Sequence, residues 1–312
     1  MARPTRTRRW QRVNTRPQWP NGKRMALVVT VDFAGTHGIL AQVPGMAGRE
    51  KSLSVWGYGA KRGVDRLLRL FDQMKLTTSW FVAGKVAREH AELVRRIHAA
   101  GHEIGNLGLA AEDFGPLSLE AQRTSFEQAQ GMLADVVGIA PRGFRSAFGN
   151  WSPGFTEVLR AAGVRWSSSW RGDDRPYHHP GAQAGAPALV ELPLHYELED
   201  EPCFAFNLYP AVPPGQSRIA PYGEVLANWQ QDLAGFHRLG LALPLRLHPE
   251  MIGTAGRIDL LREWLATARG YGDVWITTGS ELAAWWTERY PINEPGHPVD
   301  LFAPLHRPAS VQ

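Results

Sequence analysis

The apolar positions of this chain follow two rhythms that alternate along most of its length. The run from Met25 through Val31 is almost wholly apolar and ends in Asp32, the pattern of a strand buried on both faces. Val64, Leu67, Leu68, Phe71 and Met74 then recur at helical spacing and predict an amphipathic helix over 61–75. Further strands are predicted at TTSWFVAG (77–84), HEIGN, RGFRS (142–146), VRWSSS, ALVELPL (188–194), LALPLRLH ending at His248, and GDVWITT. Helices are predicted at Ala87–Ala100, 118–137, 223–239, 257–269 and Ser280–Tyr290. A short one, with Ser152 as cap and Pro153 at its first position, ends at Gly163. Residues 33–58, rich in Gly, read as a long functional loop, and 171–188 and 197–222 as two more. No internal repeat is visible.

This alternation implies a parallel sheet covered by helices, closed as a barrel or left open. Asp32, Asn106, Arg145 and His248 all fall at C-terminal ends of predicted strands. That is the end of a parallel α/β barrel where sites form.

The length of 312 residues suits one large domain or two small ones. No apolar run reaches the ~18 residues that would suggest a membrane span. The net charge of +4 hides an asymmetry: residues 1–24 hold eight of the 34 Arg and Lys and no acid, so the body, with all 30 acids, is mildly acidic. A basic arm of this kind is a solvated tail, packs on a sister subunit, or binds an anionic surface. No recognition motif accompanies it, so neither nucleic acid nor membrane is expected as a partner. Arg8-Arg9 is followed by no apolar stretch, and no secretion signal is expected. The lone Cys203 excludes an intrachain disulfide framework and a cysteine-rich zinc site, and makes the cytoplasm the default location.

Five ordered blocks carry a family likeness: VVTVDF, YGAKRGVDRLLRLF, GHEIGN, PRGFRS, and LRLHPEMIGTAGR followed by GDVWITTGSELA. With these the chain resembles the NodB-like polysaccharide deacetylases, and within them the peptidoglycan-deacetylase-like and allantoinase-like subgroup. The resemblance runs from about Trp19 to Trp286 and implies a distorted (β/α)7-type barrel. It divides the chain into a basic arm (1–24), a deacetylase-like domain (25–290) and an extended tail (291–312). It also implies a homo-oligomer. Asp32 matches the family's catalytic base, Arg145 the arginine that orients it, and His248 the general acid. The positions of the three metal ligands hold Ala34, Leu107 and Ala111. No metal or other cofactor is therefore expected.

Metal-assisted amide hydrolysis without its ion forfeits several kcal/mol, roughly a thousandfold or more in rate. An N-acetyl sugar would then react too slowly, whereas a strained amide or a ureide would tolerate the loss. The expected function is metal-independent hydrolysis of a non-peptide carbon–nitrogen bond in a small molecule. One alternative is a pseudoenzyme whose barrel binds a ligand or partner; another is a metal enzyme with rearranged ligands. Asp32 and His248 are expected outside the core. Trp56, Tyr58, Phe148, Trp151 and Tyr196, with Trp170, are candidates to line the substrate pocket. His37, Glu112, Asp113, His178, His179 and His195 are polar residues whose spacings match no metal-ligand template.

Overall fold

The computed structural model describes residues 16–181, 185–215 and 218–301. Among them nine strands form one sheet: β1 Met25–Phe33, β2 Ser79–Val82, β3 Glu103–Asn106, β4 Gly143–Phe144, β5 Trp166–Ser167, β6 Tyr177–His178, β7 Val190–Glu191, β8 Ala242–Leu247 and β9 Val274–Thr277. The order is β6-β7-β5-β4-β3-β2-β1-β8, with β9 also on β1, and β6–β7 is antiparallel. β8 runs along Ala26–Val31, so β9 (beside Met25–Val28) and β2 (beside Thr30–Phe33) share the opposite edge of β1. Beyond β7 the chain returns to β8 through a parallel bridge from Glu199 to Arg246. The expected distorted barrel is thus a half-barrel sheet wrapped by helices, drawn together at one end by that bridge.

All nine residues of β1 are buried, as its apolar run requires of a central strand. The helix Val64–Gln73 turns Val64, Leu67, Leu70 and Phe71 into the core. Before it, 59–63 forms a wider helical turn against the chain that follows β8. A Cβ on Gly63 would stand 2.0 Å from the Pro249 carbonyl oxygen, so only glycine permits this approach. That contact fixes the segment immediately after His248.

Several expectations change. Residues 33–58 are not an open loop: they fold into the helices Gly35–Gln42 and Glu50–Tyr58, joined by a turn at Pro44–Met46. Burial of Ile39, Met46 and Trp56 supplies what their weak helical periodicity lacks. The helix expected over Ala87–Ala100 breaks at His90 into Gly84–Glu89 and Ala91–Ala99. The short helix before Gly163 starts at Phe155, and its cap is Gly154 at φ +90° rather than Ser152. The 197–222 segment contains the helix Glu201–Phe204.

Part of the arm packs on the body. Trp19 is buried against Trp275 and Trp286 and donates its indole N–H to the Gly240 carbonyl. Arg24 donates to the carbonyls of His237 and Arg238 at the end of the helix Tyr222–Leu239, where a cation is favoured. Residues 16–24 therefore belong to the packed body, and the domain boundary expected at 25 moves toward the N-terminus. Residues 1–15, the rest of the arm, and 302–312 of the tail lie outside the described residues.

Candidate active site

Strand parity builds the site. Thr30 and Asp32 share one face of β1, and Arg246 and His248 share one face of β8. The parallel register sets Arg246 opposite Thr30, so its side chain reaches Asp32. Arg145, just past β4, completes the centre from the other side.

Both Asp32 oxygens are taken. Oδ1 accepts from Arg145 Nη1 at 2.6 Å and Oδ2 from Arg246 Nε at 2.8 Å. Arg145 also donates to Thr30 Oγ1 and to the carbonyl and hydroxyl of Ser168, and its guanidinium lies 4.2 Å from the Phe81 ring centre. Burial pushes the Asp32 carboxyl up, but Arg145, Arg246 and His248 outweigh it and hold it below its usual range. Asp32 is 1% exposed, which corrects its expected place outside the core. His248, 5% exposed, corrects likewise.

His248 is held by Asp200, whose Oδ1 lies 2.7 Å from Nδ1 and whose Oδ2 accepts from the His248 and Ile252 amides. Nε2 then faces three carboxylates, 4.0 Å from Asp32 Oδ2, 4.0 Å from Glu199 and 3.9 Å from Glu201. Burial pulls the imidazole pKa down, but Asp200 and Glu201 raise it to about 10. The ring is a cation at neutral pH, the state a general acid requires. Glu250, buried with Oε2 lacking a partner, is pushed by burial up to about 8.

Asp32, His248, Arg246, Glu201, Glu250, Ala34, Leu107 and Trp56 are among the residues lining an inner cavity of about 20 Å³. An outer cavity of about 380 Å³ shares the wall made by Arg246, Glu201, Ala147 and Phe148, and adds Glu199, Trp170, Tyr196 and Asn150.

Of the expected pocket aromatics, Trp56 lines the inner cavity, Phe148 both, and Tyr196 and Trp170 the outer. Trp151 and Tyr58 line neither. Trp151 sits one layer back, 5.0 Å from Trp170, in a cluster with Phe144 and Phe155. The Tyr58 hydroxyl is bound by Arg66. Three of the six scattered polar residues are engaged by other partners: His37 pairs with Glu89, His179 with Glu191, and Glu112 caps the amides of Leu109 and Ala110. Asn106 binds the Phe126 carbonyl and the Gln130 side chain, and has a structural role.

Four residues of the centre escaped the sequence reading: Arg246, Glu199, Asp200 and Glu201. Their signals were present. Arg246 has the parity of His248 within an apolar strand, and ELEDE is an acidic run inside a loop.

The family's metal does not fit here. Positions 34, 107 and 111 offer two methyls and an isobutyl group, with no donor atom. Among the described residues, a group with ligand atoms close enough for a cation is Glu199, Glu201 and His248. Arg246 already stands 2.8 Å from Glu199.

The raised His248 pKa has a consequence for stability. It lies above the ordinary 6.5, so the stabilisation is full below pH 6.5 and is lost as pH rises through about 10. The melting-temperature gap between the parent and His248→Gln is expected to shrink between pH 7 and 10.5. A gap that stays constant would mean the charge on His248 does not couple to folding.

Residues 51–167 match the family model for polysaccharide deacetylase. A peptidoglycan deacetylase of Helicobacter pylori is 24% identical over 48% of this chain and 58% of its own length. A protein from Mycobacterium smegmatis described as a polysaccharide deacetylase superposes with a TM-score of 0.81 at 28% identity, covering 89% of this chain and 95% of that one. The PuuE allantoinase superposes at 0.76 with 20% identity over the same shares. No helix among the described residues is long and apolar enough to cross a membrane. By the match over residues 51–167 and these likenesses, the chain is similar to the polysaccharide deacetylases and shares their fold.

Proposed function

We propose that this protein hydrolyses a non-peptide carbon–nitrogen bond in a small amide or ureide without a resident metal. The observation that carries this reading is the 4.0 Å separation of Asp32 Oδ2 and His248 Nε2 beside an inner cavity of about 20 Å³. A cavity of that size holds about one water. A water there would touch both groups. Asp32 would take its proton as its oxygen adds to the carbonyl carbon. The C–N bond then breaks, and His248 protonates the departing nitrogen. An amide plus water gives an acid plus an amine; a ureide gives a carbamic acid plus an amine.

The outer cavity supports the substrate class. Its volume of about 380 Å³ is in the range of small-molecule sites, which run from roughly 300 to 1,000 Å³. Arg246 offers N–H donors for a carbonyl, and Glu199 and Glu201 accept from N–H groups, a pattern matching the edge of an amide or ureide. The fold neighbour described as an allantoinase accords with a substrate other than a polysaccharide.

One observation favours the pseudoenzyme reading. Both Asp32 oxygens are already bound, and a carboxylate engaged by two guanidiniums is a poor base. Chelator-treated protein assayed against N-acetyl sugars, cyclic amides and ureides separates the two. Turnover of an amide or ureide that survives chelation and disappears in His248→Ala is expected. Turnover that depends on added metal, or saturable binding with none, would overturn the reading.

A further inference from the structure

Arg246 sits inside a group of side chains that otherwise has the makings of a cation site. Ligand atoms of Glu199, Glu201 and His248 lie within 4.8 Å of one another. His248 Nδ1 is locked by Asp200 at 2.7 Å, the carboxylate–histidine arrangement that commonly orients a metal ligand. This leaves Nε2, on a residue only 5% exposed, without a hydrogen-bond partner among the described residues and aimed at the cluster. Asp32 closes the far side. In place of a metal stands a guanidinium: Arg246 gives Nε to Asp32 at 2.8 Å and places Nη1 2.8 Å from Glu199. Nη2 has no hydrogen-bond partner among the described residues, and Arg246 lines both the inner and the outer cavity.

We propose that Arg246 is the built-in cation of this site. It occupies the acidic pocket in place of a metal ion and, through Nη2, binds the oxygen of the scissile carbonyl. The catalytic half of this proposal rests on the hydrolytic reading above; the cation half does not. When water adds to the carbonyl carbon, the C=O electron pair moves onto that oxygen, and a fixed N–H donor stabilises the charge. An arginine is suited to the task because it keeps its charge when buried and offers several N–H groups in one plane. It also explains why the chain tolerates Ala34, Leu107 and Ala111: the site has its positive charge without them.

The first test is zinc binding, read by calorimetry and by the shift in melting temperature. The parent and Arg246→Lys, which keeps the cation, are expected to bind no Zn²⁺ at this cluster. Arg246→Ala empties the pocket and is expected to gain micromolar Zn²⁺ affinity and a rise in melting temperature with added Zn²⁺. Glu201→Gln on the Arg246→Ala background should weaken that affinity at least tenfold. Should Arg246→Ala not fold alone, Arg246→Gln carries the same test. Equal Zn²⁺ binding by parent and variant, or none by a folded variant, overturns the proposal. The second test is kinetic. Arg246→Gln is expected to lower kcat by about a hundredfold to a thousandfold with a smaller change in KM, and Arg246→Lys to recover part of it. Unchanged kcat in an active protein overturns the catalytic half. If the parent hydrolyses nothing, the hydrolytic reading fails while the zinc result still decides where the cation sits.

Discussion

Asp32→Asn is expected to lose hydrolysis below detection and to cost the fold about 3–5 kcal/mol, the scale for breaking a buried ion pair from one side. The reason is that this carboxylate serves two guanidiniums at once. Arg145 and Arg246 approach opposite oxygens at 2.6 and 2.8 Å. An amide at this position keeps one acceptor oxygen and presents an NH₂ group to the other arginine, donor against donor. It also removes the negative charge that lets two buried cations share the barrel interior. Domain stabilities run to only about 5–15 kcal/mol, so the melting temperature should fall sharply. His248→Ala provides the contrast. It should abolish hydrolysis with a smaller loss of stability, because Asp200 still accepts from the Ile252 and residue-248 amides. Urea titration of the two variants checks the ranking. An Asp32→Asn protein as stable as the parent would show that the Asp32 charge does not hold the two arginines.

Much of the scaffold was legible because local rhythm and tertiary burial agree. The nine buried residues of β1 and the buried stripe of Val64–Gln73 are direct readings of periods two and 3.6. The buried trio Asp32, Arg145 and His248 was legible for another reason, since each lies at or just past the end of a strand and falls in a block that carries the family resemblance. The illegible parts are those that depend on what meets across space. Gly35–Gln42 is helical because Ile39 packs inward, not because GTHGILAQ favours a helix. Arg246 looks like a lone polar interruption in LALPLRLH, and only the β1–β8 register reveals that it meets a carboxylate 214 residues away. Asp200 gave no sign of its partner either, because the loop that carries it has no period to read. Tyr58 and Trp151 were plausible as pocket aromatics by type and place in the chain. Side-chain direction decided against them, and that is set by helix packing and by a second aromatic cluster.

The triple change Ala34→Asp, Leu107→His, Ala111→His is expected to install a metal site, and the structure shows both why and at what cost. Ala34 and Leu107 line the inner cavity together with Asp32. A methyl placed on Gly38 would lie 2.6 Å from the Ala34 Cβ and 3.8 Å from the Ala111 Cβ. The three positions therefore gather around one spot at the start of the helix Gly35–Gln42. Leu107 already fills a volume close to that of histidine, so that exchange should fit. Ala111 has φ +54°, a conformation histidine adopts more readily than most side chains. Room is the difficulty: the inner cavity measures about 20 Å³, so the first turn of the helix must shift to admit the new side chains. With no partners built to orient the new histidines, affinity should fall about tenfold to a hundredfold below a native site. Arg246 lines the same cavity and repels an incoming cation. Micromolar Zn²⁺ or Co²⁺ binding by calorimetry is expected for the triple variant, and with Arg246→Ala added the binding should be at least tenfold tighter than in Arg246→Ala alone. A folded triple variant that binds neither ion would show that positions 34, 107 and 111 do not converge as these contacts require.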